Sequence, residues 1–140
     1  GRGPMDDVTI DKIGEAAFGS QWGGVFASDN AGTLLKSHGP RYAIVNTATS
    51  QGRGSHWMGV YIGAGRRGYP PPAWLYDSFG REPQQVSWRF NRVALQAHVA
   101  LHSTDSAAEQ RGTSSVCGQL SLAWLLTVQE LGITAVAAAV

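Results

Sequence analysis

At 140 residues, 43% of them hydrophobic, the chain has material for one globular domain with a single core. Its formal net charge of +1 argues against a general polyanion binder. Cys117 is the only cysteine, which excludes an intrachain disulfide and points to a reducing, intracellular compartment or to a thiol kept for its chemistry.

The opening "GRGP" (residues 1–4) reads as a cloning remnant, and residues 5–140 as one domain with no basic-then-apolar leader. "DDVTIDKIGEAAFG" sets Val8, Ile10, Ile13, Ala16, Ala17 and Phe18 at mostly helical spacing, with acids in the first turn and Gly19 as the stop. "SQWGGVFASDNAG" reads as a loop because glycine and small polar residues dominate it. "RYAIVNTA" (41–48) is expected to be a strand, "TSQGRG" a turn and "HWMGVYIG" (56–63) a second strand. The prolines of "AGRRGYPPP" forbid a ladder there, and "AWLYDSFG" (73–80) is the third strand. Helical spacing then runs from Gln84 to Ala97, and "VALHS" (99–103) suits either an extension of that helix or a fourth strand. After the loop "TDSAAEQRGTSS", residues 116–131 are apolar on nearly every side, as in a central helix packed on several faces. The polar Gln119, Gln129 and Glu130 make that segment a buried helix rather than a membrane span. The order of elements predicts an α+β fold, a mixed sheet packed against a central helix.

Three positions in this layout carry chemistry. Cys117 opens the last helix, where free backbone N–H groups and the helix dipole favour a thiolate. Asp77 ends the third strand and His56 begins the second. Antiparallel pairing of those strands brings the imidazole and the carboxylate to one edge of the sheet. A thiol, a base and an acid that orients the base make an activated nucleophile. Gln110, in the loop before Cys117, offers an amide to an oxyanion near the thiol. Taken singly each residue is ordinary: a helix-start cysteine is more often structural, and a strand-end aspartate is usually a turn former.

"AIVNTA", "GSHWMGVYI", "WLYDSFG" and "SSVCG", with Gln110 ahead of the last, resemble the adenovirus-type cysteine proteases over roughly residues 43–126. The "HW … D … Q … CG" skeleton is shared with the wider clan of ubiquitin-like-protein proteases and some bacterial effector acetyltransferases. The resemblance implies His56 as general base, Asp77 as its orienter, Cys117 as nucleophile, and Gln110 with the Cys117 backbone N–H as oxyanion hole. It also implies a cysteine endopeptidase that cleaves at glycine-containing sites, a viral maturation enzyme acting on capsid and core precursors in the host nucleus or virion. A deubiquitinating or deSUMOylating enzyme is the alternative within that skeleton, and an acetyltransferase or a non-catalytic binding module the alternative outside it. The adenovirus enzymes have Glu where this chain has Asp77; the ubiquitin-like-protein proteases have Asp. Their disulfide-linked peptide cofactor is excluded here, because it needs a second cysteine. DNA, their other cofactor, is weakly supported. Arg41, Arg53, Arg66, Arg67, Arg81, Arg89 and Arg92 face only Asp77 and Glu82 in that stretch, but the whole chain is nearly neutral.

Trp57 is expected to wall the cleft beside the base, Trp22 to line the same groove, and Gly54 and Ser55 to touch substrate. His98 and His102 lack a third partner for a metal, so none is expected. "GAGRRG" lacks the following helix of a phosphate loop, and His38 reads as a loop residue. The expected protein is a monomer with protein substrates and no membrane contact.

Overall fold

A computed structural model of the chain describes residues 6–36, 40–47, 56–65, 68, 71–81, 83–103 and 117–138. Helix α1, Asp7–Phe18, starts where the Asp6 carboxylate accepts the Thr9 N–H at 2.8 Å, and it buries Ile10 and Phe18. A 3-10 turn, Gly19–Gln21, leads into strand β1, Trp22–Phe26. The loop expected there is therefore a strand, parallel to β2 (Arg41–Asn46), with its register broken between Trp22 and Gly24. Helix α2, Gly32–Leu35, forms the connection and buries Leu34 and Leu35.

Strand β3, Trp57–Ile62, runs antiparallel to β2, with Asn46 opposite Trp57 and Arg41 opposite Ile62. Strand β4, Ala73–Tyr76, runs antiparallel to β3, with Tyr76 opposite Gly59. It stops four residues short of the expected end, because Asp77–Gly80 forms a turn closed by Gly80 N–H to Asp77 O at 2.8 Å. Gly80 takes φ 70° there, a conformation that glycine reaches without strain.

The helix expected over 84–97 is two pieces, α3 (Pro83–Val86) and α4 (Trp88–Gln96). Ser87 separates them: its backbone is extended and its hydroxyl accepts the Phe90 N–H at 3.2 Å, which makes it the α4 N-cap. At the other end His98 adopts φ 58° while Val99 N–H bonds to Ala94 O at 2.9 Å, a left-handed stop usually made by glycine. That stop decides the 99–103 ambiguity in favour of a strand: β5, Leu101–Ser103, pairs parallel with β4.

Among the described residues, five strands form one mixed sheet in the order β1-β2-β3-β4-β5. Alternate side chains separate its two faces. Ala43, Val45, Met58, Val60, Ile62, Ala73 and Leu75 pack against α2, α3 and α4 through Leu34, Leu35, Val86, Phe90 and Ala94. Tyr42, Ile44 and Tyr76 face α1 and α5 (Cys117–Leu131) through Ile10, Phe18, Leu122, Trp124, Leu125 and Val128. Each fully buried aliphatic or Phe side chain in these layers contributes about 1.5–3 kcal/mol of transfer free energy.

Helix α5 lies on the sheet as expected but is apolar on more sides than it buries: Leu126 is 41% exposed and Leu131 61%. A short helix α6, Ile133–Ala138, follows Gly132 and lays Ile133 and Val136 on the same cluster. Among the described residues, no helix is long and apolar enough to cross a membrane.

Candidate active site

The antiparallel register of β3 and β4 places His56, one residue before β3, near Asp77, one residue after β4. Thr47 N–H donates to His56 O at 2.9 Å, so the β2 end holds the histidine backbone. The ring is buried, with Nε2 2.5 Å from Asp77 Oδ1. An ionised carboxylate only accepts, so Nε2 carries the hydrogen and Nδ1 is the nitrogen left for the ring's other hydrogen bond, to Cys117. Phe79 packs on the imidazole with ring centroids 5.1 Å apart.

Cys117 reaches this point because α5 begins there, packed on β3. The thiol is buried and accepts the Trp57 backbone N–H at 3.4 Å. Four residues along the helix, Ser121 Oγ–H donates to Trp57 O at 3.2 Å. One peptide stretch of β3 is thus fastened to α5 on both its N–H and its C=O, which sets the height of His56 against the thiol. The i, i+4 spacing of Cys117 and Ser121 puts both on the helix face that meets the strand.

The Asp77 side chain has no solvent exposure and accepts from two residues. Besides His56, it takes Arg81 N–H at 3.0 Å, Nε at 2.8 Å and Nη2 at 3.4 Å.

The charges follow from these contacts. Burial pushes the Cys117 thiol up, but hydrogen bonds from His56 and from the Trp57 and Gly118 N–H groups, with the His56 charge, outweigh it and hold the thiol below its ordinary value. Burial would lower His56, and the hydrogen bonds and negative charge of Asp77 and Cys117 reverse that and raise it. Burial would raise Asp77, and His56 and Arg81 hold its carboxyl far below the usual range. Each direction favours a thiolate–imidazolium pair beside an ionised carboxylate.

His56, Asp77 and Cys117 are therefore brought together, with the Trp57 backbone among them. Trp22 is not. It pairs with Tyr42, which pairs with Tyr61, at the far end of the sheet from the Asn46–Trp57 pair, and its indole N–H donates to Asp11 at 2.8 Å. The expected groove position of Trp22 rests on a loop at residues 20–32, whereas pairing with β2 makes its segment a strand and the Asp11 contact ties the indole to α1. Gln110, Gly54, Ser55 and His38 lie outside the described residues. His102 sits on β5 against Trp74 and His98 at the end of α4, and no group of three metal-ligating side chains occurs among the described residues. Arg81, Phe79 and Ser121 were not singled out by sequence; the spacings Asp77 to Arg81 and Cys117 to Ser121 were the available signals.

The same fold occurs in solved structures. The ASFV pS273R protease superposes with a TM-score of 0.57 at 13% identity, covering 97% of this chain and 61% of that one. The Xanthomonas campestris effector protein XopD bound to ubiquitin gives 0.57 at 14% identity, covering 95% and 78%. AvrA with IP6 and CoA gives 0.56 at 15%, covering 86% and 47%. The chain thus spans under two thirds of the first and under half of the last. At such identities the fold is what is shared: an α+β arrangement of a mixed sheet with helices against it. No protein-family model and no curated protein sequence matches the chain.

Proposed function

We propose that the chain is a cysteine protease using Cys117 as nucleophile, His56 as general base and acid, and Asp77 as the orienter of His56. One observation carries this reading: a buried imidazole bridges a buried carboxylate and a thiol at a helix start, with the thiol held toward thiolate. The Cys117 sulfur adds to the carbonyl carbon of a peptide or isopeptide bond. The His56 imidazolium gives its proton to the leaving nitrogen as the C–N bond breaks and a thioester remains. Water, deprotonated by His56, then adds to the thioester carbonyl, and the C–S bond breaks to regenerate the pair. The Cys117 backbone N–H, at the open end of α5, and the Gln110 amide are assigned to the oxyanion.

The proposed substrate is a protein with glycine at the scissile site, in a precursor polypeptide of a viral maturation system. The "AIVNTA" and "HWM" stretches support this finer reading. XopD, which shares the fold, was solved with ubiquitin, and this favours deconjugation as the second reading. Carboxy-terminal electrophilic probes built on a Gly-Gly peptide, ubiquitin and SUMO distinguish the two. Labelling of Cys117 by the short Gly-Gly probe supports the endopeptidase. Labelling only by the ubiquitin or SUMO probe supports the deconjugase. A thiol that alkylates readily yet ignores all three overturns both and leaves acyl transfer or a binding role.

A further inference from the structure

The Asp77 carboxylate is completely enclosed, yet most of its hydrogen bonds come from Arg81 rather than from the histidine. The Asp77–Gly80 turn brings this about. With Gly80 at φ 70°, the chain folds back so that the Arg81 backbone N–H and its guanidinium both reach a carboxylate four residues earlier. Oδ2 takes the Arg81 N–H and Nε, while Oδ1 takes His56 Nε2 at 2.5 Å and, more distantly, Arg81 Nη2 at 3.4 Å. The same guanidinium lies 5.0 Å from the Phe79 ring centroid, and Phe79 in turn packs against the His56 ring. Arg81 therefore touches both groups that hold the imidazole, while its own side chain stays 41% exposed.

We infer that Arg81 is a positioning residue for His56, acting through Asp77 on one side of the ring and through Phe79 on the other, and that its charge sets the pH window of the thiolate–imidazolium pair. The inference rests on the Cys117–His56–Asp77 reading of the site. Among the described residues, the ionisable groups facing the pair are Asp77 from the β4 turn, Cys117 from α5 and His56 itself, with Arg81 facing Asp77. A cation placed there disfavours every protonated state nearby. It favours the thiolate, and it offsets part of the Asp77 charge that would otherwise hold the imidazolium to higher pH. Removing it moves both ionisations in one direction, to higher pH. A residue that merely braced the turn would lower stability and leave the two ionisations where they were.

The test is the rate of Cys117 alkylation by iodoacetamide against pH, which reads one thiol and needs no substrate. In Arg81→Gln both limbs of the profile should move up by roughly 0.5–1 pH unit. In Arg81→Lys, which keeps the charge, they should return to the wild-type positions. Should Arg81→Gln not fold, Arg81→Met, which keeps an apolar stem over Phe79 and loses the charge, takes its place. A neutral variant with both limbs unmoved overturns the inference, whatever its melting temperature, and so does a lysine variant shifted as far as the neutral one. Neither result bears on the protease reading, which the carboxy-terminal probes decide separately.

Discussion

Replacing Asp77 by asparagine changes one atom and asks for a hydrogen bond the new side chain lacks. The carboxylate accepts at both oxygens, His56 Nε2–H on Oδ1 and Arg81 N–H and Nε–H on Oδ2, in a site with no solvent exposure. Asparagine has one accepting oxygen. If its NH2 faces Arg81, two donors meet a donor. If it faces His56, the ring must give up the Nε2 hydrogen and carry it on Nδ1, toward the thiol, where it no longer accepts the thiol proton. Breaking a buried pair costs about 3–5 kcal/mol, and the lower end applies because the Arg81 guanidinium can turn to water. Roughly 3 kcal/mol in a domain of this size lowers the melting temperature by about 10 °C. A wrong tautomer lowers turnover by about four orders of magnitude. The stability gap also depends on pH. The Asp77 contribution is present above the unfolded carboxylate pKa, near 3.9, and is lost as pH falls through its depressed folded value. The His56 contribution is present below about 6.5 and is lost as pH rises through its raised folded value. The gap between the two proteins should therefore be widest at about pH 4–6.5, close as pH falls below that range, and narrow without closing above it, because Arg81 still pairs with the ionised Asp77. Urea melts across pH and the alkylation profile measure it. An Asp77→Asn protein with wild-type melts, alkylation limbs and probe reactivity would reduce Asp77 to a turn former.

Three further outcomes test separate parts of the structure. Iodoacetamide should add once by mass, at Cys117, and Cys117→Ala should fold but lose about six orders of magnitude in turnover; wild-type reactivity toward the probes in that variant would remove the nucleophile. Gly59→Ala would set a Cβ 3.0 Å from Trp124 Cε3 and 3.3 Å from Ser121 O, so β3 and α5 must separate. The expected cost is about 1–3 kcal/mol in urea melts, with slower probe labelling because the Ser121–Trp57 tie loosens, and an unchanged midpoint would show that the contact is slack. His98→Gly relieves the left-handed backbone at the end of α4 and should stabilise by about 0.5–1 kcal/mol after the entropy of glycine is deducted; a lower melting temperature would mean that the imidazole makes a contact worth more than the strain.

The strands that frame the site were legible because β2 and β3 combine β-branched residues with clear turn signals, and because strands consecutive in sequence usually neighbour one another in a sheet. His56, Asp77 and Cys117 followed from those two facts and from the helix start at 117. Strand β1 was not legible. "WGGVF" has two glycines and one β-branched residue, and its strand state comes from lying along β2, a long-range pairing that local propensity does not encode. That pairing sets Trp22 opposite Tyr42, away from the Asn46–Trp57 end of the sheet. The break at Ser87 was hidden because apolar spacing continues across it, whereas the cap is a single hydrogen bond from Phe90 N–H to Ser87 Oγ. Arg81 was hidden for a different reason. An arginine after Asp-Ser-Phe-Gly reads as a solvated loop residue until Gly80 is known to turn the chain back on the carboxylate.

The same turn lets a short carboxylate reach His56 where the resemblance to the adenovirus-type enzymes would lead one to expect the longer glutamate. Tyr76 pairs with Gly59, so Asp77 leaves the sheet beside the start of β3, within reach of His56 on a short side chain. Arg81 closes the other side of the carboxylate, so the pocket has a defined depth. Asp77→Glu keeps the charge and adds one methylene to a fully enclosed group. The longer side chain must push away either His56 or Arg81, or buckle into a strained rotamer. Charge and reach then separate. The alkylation limbs of Asp77→Glu should stay near wild type, because a carboxylate still faces the pair. Turnover should fall by roughly a hundredfold, as for a reacting group displaced by about 1 Å. Asp77→Asn, by contrast, moves the limbs as well. Wild-type turnover in Asp77→Glu would mean that the pocket has spare depth and that Arg81 does not close it. Limbs displaced as far as those of Asp77→Asn would mean that the longer carboxylate no longer faces the ring.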